Sequence, residues 1–177
     1  IFTSDEDPII PYNLRLAIDY MKTNKIDFLS PIFIKKSKLY RGKPYIDSIL
    51  PSEYGSSSFY TSTMVFKLEL LLKNIDILEK HILKKNQVYP EVIMAILMII
   101  IGKCEWYNKP LGFAMASLKT FTVTETGRYN GVMERWRQFT MYMDYFEDLK
   151  ANFTQDKQLE CINEMESSDE KLTFFKK

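Results

Sequence analysis

The sequence predicts an α+β fold, a single compact domain in which a small antiparallel sheet packs against helices. Two stretches, 59–72 and 111–124, alternate apolar and polar residues with period two, as half-buried strands do. Other stretches carry apolar residues at helical spacing or in one continuous run. Because strands and helices do not alternate regularly along the chain, this order favours α+β over a parallel α/β sheet.

The first predicted helix covers 12–22, where Pro11 suits the first helical position and Leu14, Ile18 and Met21 recur at helical spacing. The next stretch, 31–58, is punctuated by proline and glycine and ends in three serines, so we expect a loop with short extended pieces. The strand over 59–72 follows this loop.

Three further helices are predicted. Asn74 is a good N-cap for a helix over 75–85. Pro90 and Gly102 bracket a helix over 90–101 whose run of apolar residues indicates burial on nearly all sides. After the strand over 111–124 and a glycine-containing turn, the 4-3-4-3 spacing of apolar residues predicts a long amphipathic helix over 132–150.

The predicted organisation has four parts: an N-terminal arm with a helix (1–30), a flexible basic loop (31–58), an α+β core (59–150) and an acidic C-terminal tail (151–177) that we expect to be partly disordered. The net charge is only +1, yet cations cluster between positions 35 and 43 and acidic residues between 144 and 170. The molecule is therefore expected to be bipolar.

Composition argues against an enzyme. The chain has one His and two Cys, and it lacks a phosphate-binding Gly-rich loop, a dinucleotide motif and a zinc-protease motif. We expect no cofactor and no metal. His81 is expected to be a surface or boundary imidazole, Cys104 a buried inert thiol, and Trp136 a core residue of the last helix. The carboxylates of Asp144, Glu147 and Asp148 are expected on a solvated helical face.

The main candidate site is the basic cluster in the loop, which has five cations within nine positions and two tyrosines. Its cations are Lys35, Lys36, Lys38, Arg41 and Lys43. Cations near an anionic membrane each contribute about 1 kcal/mol, and the neighbouring apolar residues Ile32, Phe33 and Ile34 are suited to a second copy of the chain or to the headgroup boundary. RNA phosphates with stacked tyrosines, or a loop that binds nothing, are the alternatives.

A family resemblance is carried by residues 58–102. An aromatic-led strand at Phe59 and Tyr60, a helix carrying Leu78 and Ile82, and an apolar helix ending at Gly102 follow one another. This run resembles the central part of rhabdovirus matrix proteins. Upstream, the segment from Pro51 to Tyr54 is similar to the proline-rich budding motif of that family, with Ser52 in place of its second proline.

The resemblance implies a non-enzymatic structural protein of the virion. Such a protein coats the inner face of the envelope, meets host cytoplasm and membranes, self-associates, and condenses the viral nucleocapsid. The resemblance also implies that Pro51 and Tyr54 recruit a host ubiquitin-ligase domain during budding. Direct contact with RNA is left open. The alternative from another class is an all-helical viral module that inhibits host apoptosis or signalling, in which helices 90–101 and 132–150 wall a groove for a partner helix.

Overall fold

The computed structural model describes residues 7–35, 38–40, 46–53, 63–84, 90–113 and 132–168. Within these ranges the chain forms six α-helices, five strands, a 3₁₀ turn and a π-helical segment. The helices are α1 (Pro11–Asn24), α2 (Leu68–Lys73), α3 (Ile75–Leu78), α4 (Pro90–Ile101), α5 (Val132–Asn152) and α6 (Asp156–Ser168). The strands are β1 (Phe28–Lys35), β2 (Lys38–Tyr40), β3 (Asp47–Ser48), β4 (Val65–Phe66) and β5 (Cys104–Phe113). The 3₁₀ turn is Pro51–Glu53 and the π-helical segment is Glu79–Lys84.

The five strands form one sheet with the order β2-β1-β5-β3, and β4 also pairs with β1. The predicted α+β class is confirmed, and the all-helical fold that belonged to the alternative is wrong. The expectation of an antiparallel sheet is wrong at its centre, because β1 and β5 are parallel. The chain between β1 and β5 includes α2, α3 and α4, which gives it the length that a parallel crossover requires.

The sheet is buried on both faces. Phe28 and Trp106 belong to the larger core, which also contains α4 and the inner sides of α5 and α6. Leu29 and Tyr107, the next residue along each of these strands, belong to a smaller core with α1. Because successive residues of a strand point to opposite faces, this division places α1 on one side of the sheet and α4 on the other.

Helix α4 is the centre of the larger core, and its predicted bounds are confirmed. Every residue from Ile93 to Ile100 is buried. The phenol of Tyr145 on α5 donates a hydrogen bond to the backbone oxygen of Ile93 at 3.0 Å, so α5 packs directly on α4.

Two strand predictions need correction. Only Val65–Phe66 of the predicted strand 59–72 is a strand, and α2 starts at Leu68; residues 59–62 lie outside the described ranges. The segment Leu68–Lys73 consists of good helix formers, whose apolar positions satisfied period two and helical spacing equally well. The second strand begins at Cys104, seven residues before the predicted start. Residues 104–107 are all buried, so the start of this strand shows no apolar–polar alternation.

The predicted basic loop and acidic tail also contain ordered structure. Most of β1, all of β2 and β3, and the 3₁₀ turn lie within 31–58. Helix α6 lies within the predicted tail, and its Ile162 and Met165 are fully buried in the larger core. Lys150 of α5 also contacts Glu166 of α6 at 2.7 Å. These two apolar residues, three positions apart, and the Lys150–Glu166 ion pair join this acidic segment to the domain.

Candidate functional site

The basic cluster predicted from the sequence begins on a β-hairpin. Strand β1 ends at Lys35, β2 begins at Lys38, and the antiparallel register pairs these two residues directly. The same register pairs Phe33 with Tyr40. We call β1 residues 33–35 and β2 the basic hairpin. Strand β2 is at the edge of the sheet, so the hairpin lies at its border.

The register brings like charges together. The register sets two lysine positions directly opposite each other, and like charges directly opposite in an antiparallel pair are in general destabilising. Residues that are two positions apart or directly opposite share a face, so Phe33, Lys35, Lys38 and Tyr40 belong to the same face by register. An anionic ligand at this face would relieve the repulsion. Lys36, Arg41 and Lys43, the other predicted cations, lie outside the described residues.

The predicted self-association residues do not form one accessible surface. Ile32 is only 8% exposed and pairs with Pro110 across the parallel β1–β5 contact. The prediction is therefore wrong for Ile32, whose position in the centre of the sheet was not visible while 31–58 was interpreted as a loop. Ile34 is half-buried, and Phe33 is placed here only by its register opposite Tyr40.

The segment predicted to carry a budding motif is folded onto the domain. Pro51 begins the 3₁₀ turn and is half-buried. The Glu53 carboxylate accepts hydrogen bonds from the Trp106 indole N–H at 2.9 Å and from the Leu50 backbone N–H at 3.0 Å. Trp106 is fully buried, so Glu53 fixes this turn to the larger core. Tyr54 lies outside the described residues.

A polar cluster that includes partly exposed side chains surrounds His81, which the sequence predicted to lie at the surface or its boundary. His81 is 1% exposed, lies in the π-helical segment, and packs its ring 4.8 Å from that of Tyr145. Its Nε2 lies 2.6 Å from Asp148 Oδ2, and Lys80 Nζ lies 2.5 Å from the same oxygen. The hydrogen bonds from Lys80 and, less strongly, from His81 hold the pKa of Asp148 below its usual 3.8. His81 follows buried Leu78 by three residues, and this helical spacing is the sequence signal from which its burial could have been predicted.

A second carboxylate, Glu105, joins α1 to the sheet. Tyr20 donates its phenol hydrogen to Glu105 Oε2 at 2.6 Å, and Lys103 Nζ lies 3.3 Å from Oε1. Burial, together with the hydrogen bond to this carboxylate, raises the pKa of Tyr20 to about 12. Each oxygen of Glu105 thus has its own donor, an arrangement that holds α1 in place.

Two other sequence predictions can be compared with the structure. Cys104 is buried as expected, and burial raises the pKa of its thiol well above the ordinary value. Trp136 was expected in the core but is 47% exposed, with its ring 5.4 Å from that of Phe139. Trp136 lies near the beginning of α5, whereas Tyr145, Phe146 and Leu149 near its end are the residues that enter the core.

In the described part of the chain, no three or more His, Cys, Asp or Glu side chains are placed to hold a metal ion together. Among the same residues, no helix combines the length and the hydropathy needed to cross a bilayer. No protein family, curated protein or solved structure was found to match this chain.

Proposed function

We propose that this protein is a non-enzymatic, matrix-type structural protein that binds anionic membrane surfaces through its basic hairpin. The observation that carries the proposal is the register that sets Lys35 opposite Lys38 at the edge of the sheet. Paired cations without an anion between them repel, so binding of phosphate or carboxylate headgroups would stabilise the hairpin as well as the complex.

The energetics of such a contact favour a surface over a single ligand. Each cation near an anionic leaflet contributes about 1 kcal/mol, and this attraction is weakened by salt. Phe33 and Tyr40 belong to the same face as the lysines by register, and aromatic residues favour the headgroup boundary. Lys36, Arg41 and Lys43 adjoin the hairpin in sequence and add further charge.

The matrix role itself is proposed from the resemblance of residues 58–102 to rhabdovirus matrix proteins. In this role the protein lines the inner face of a viral envelope, binds other copies of itself, and condenses the nucleocapsid. Ubiquitin-ligase domains that recognise proline motifs bind extended segments, whereas Pro51–Glu53 forms a 3₁₀ turn fixed by Trp106. Recruitment through Pro51 and Tyr54 would therefore require this turn to open.

The proposal is tested by vesicle flotation. Purified protein is mixed with vesicles of phosphatidylcholine alone or with phosphatidylserine added, at low and high salt. We expect flotation only with the anionic vesicles, with a loss at high salt. A variant with all five cations of the cluster replaced by glutamine should remain at the bottom of the gradient. If the protein binds neither kind of vesicle but binds single-stranded RNA in a salt-dependent way, the basic cluster binds nucleic acid and the membrane proposal is wrong.

A further inference from the structure

The helical segment α2–α3 has an apolar stripe on its outer side. Leu68, Leu72 and Ile75 are 64%, 55% and 50% exposed, although all three are large apolar residues. Their 4-3 spacing places them along one side of the α2–α3 segment, whose two short helices are separated at Asn74, while Leu71 and Leu78 belong to the larger core. Burial in the domain therefore accounts for Leu71 and Leu78 and leaves the outer stripe unexplained.

The charges beside this stripe are self-complementary. Glu69 and Lys73 form an exposed ion pair at 2.8 Å, one turn apart. If two copies of the α2–α3 segment pack antiparallel about a two-fold axis near position 71, Leu68 of each copy faces Leu72 and Ile75 of the other. The same axis brings Glu69 of each copy opposite Lys73 of the other. Both ion pairs can then form between the copies, in the reciprocal manner that a two-fold interface requires.

We propose that Leu68, Leu72 and Ile75 form a self-association surface that binds the same surface of a second copy. The biological role of this contact rests on the matrix function proposed above. An anionic membrane is a poorer occupant, because Glu69 and Asp76 balance Lys67 and Lys73 and leave residues 67–76 without net charge. The resulting dimer presents two basic hairpins, and engagement of both by one membrane would raise avidity.

The apolar contact is tested by sedimentation velocity over a range of protein concentrations without lipid. The test variant is Leu72→Glu, and the matched control is Leu83→Glu, which alters a residue 71% exposed outside the stripe. Since both positions are exposed, both variants should fold, which circular dichroism checks. We expect Leu72→Glu to raise the dimer Kd by at least about tenfold and the control to leave it unchanged. Equal dimerisation of the two variants, or a wild-type protein that is monomeric throughout, would overturn the proposal.

A charge exchange tests the antiparallel arrangement. Glu69→Lys leaves only cations at positions 69 and 73, and Lys73→Glu leaves only anions, so each variant alone should repel its own copy. A 1:1 mixture should associate, because cations then face anions across the axis. A mixture as monomeric as its separate components would overturn the arrangement. Since no lipid is present, these results are independent of flotation.

Flotation of Leu72→Glu tests the lipid alternative. Loss of flotation by this variant, with a wild type that is monomeric in solution, would identify the stripe as a lipid contact and overturn self-association.

Discussion

His81 Nε2 lies 2.6 Å from Asp148 Oδ2, and this contact joins the π-helical segment to α5 across 67 positions of sequence. The imidazole is almost completely buried, and its hydrogen bond with the Asp148 carboxylate offsets part of the cost of removing it from water. Asp148 also accepts from Lys80. One carboxylate therefore satisfies two neighbouring residues of the π-helical segment and fixes α5 beside it.

Replacement of Asp148 should destabilise the domain. Asp148→Asn removes the charge that Lys80 and His81 share, and we expect the free energy of unfolding to fall by about 1–3 kcal/mol. The measurement is urea unfolding followed by tryptophan fluorescence. Glu147→Gln is the control, because Glu147 is 69% exposed and lies 3.8 Å from Lys150. The control should change stability by no more than about 0.5 kcal/mol; equal losses for the two variants would contradict this role of Asp148.

The advantage of wild type over Asp148→Asn should depend on pH. The pKa of Asp148 is lowered in the folded protein, chiefly by the hydrogen bond from Lys80. The stability that this carboxylate contributes is therefore fully present above its unfolded pKa and is lost as pH falls through its folded pKa. We expect the difference in unfolding free energy to shrink as the pH is lowered through and below about 4, the ordinary range of an Asp carboxyl. A difference that stays constant over this range would show that ionisation of Asp148 does not contribute.

Helix α6 should contribute to global stability. Ile162 is fully buried against the larger core, so Ile162→Ala should cost about 2–5 kcal/mol, as expected for a buried aliphatic residue. The adjacent Asn163 is exposed, and Asn163→Ala should be nearly neutral. Thermal unfolding of the two variants compares them directly. If both unfold at the wild-type temperature, α6 is not part of the cooperative domain.

Substitutions at Gly112 and Thr63 should have non-additive effects on the free energy of unfolding. A Cβ atom at position 112 would lie 2.6 Å from Thr63 Cγ2 and 3.0 Å from the backbone oxygen of Pro8. Thr63 cannot move away easily, because it is buried and already has a positive φ of 91°. Gly112→Ala should therefore cost about 1–3 kcal/mol.

Thr63→Ser removes the clashing methyl group and keeps the hydroxyl. In a double-mutant cycle measured by urea unfolding, the cost of Gly112→Ala should fall by at least about 0.5 kcal/mol in the Thr63→Ser background. Strict additivity would contradict the coupling.

Helices α4 and α5 were the elements that the sequence predicted best, whereas α2 was predicted as a strand and α6 as part of the acidic tail. Helix α4 was bounded by Pro90 and by Gly102, signals that act locally and do not depend on tertiary contacts. Helix α5 ended two residues beyond its predicted limit. Helix α5 was identified by its apolar spacing, and α4 by its terminal signals together with its continuous apolar run.

The strands were predicted less well, because their pairing depends on distant segments. Strand β1 contains Pro31 and precedes a run of lysines, so its sequence indicated a loop. In the structure β1 pairs with β5, and Phe28 and Leu29 are buried on opposite faces of the sheet. The cations of the candidate site were found from the sequence, but their cross-strand pairing was not. That pairing depends on the β1–β2 register, which no local pattern predicted.

The measurement that tests the central claim most directly compares two double variants in flotation with phosphatidylserine vesicles at low salt. Lys35→Gln/Lys38→Gln neutralises the basic hairpin, and Lys22→Gln/Lys157→Gln removes the same charge from exposed positions on α1 and α6. At about 1 kcal/mol for each cation, the hairpin variant should lose about 30-fold in vesicle partitioning, whereas the control should bind like wild type. Equal partitioning of the two variants would show that net charge, and not the hairpin, brings this protein to the membrane.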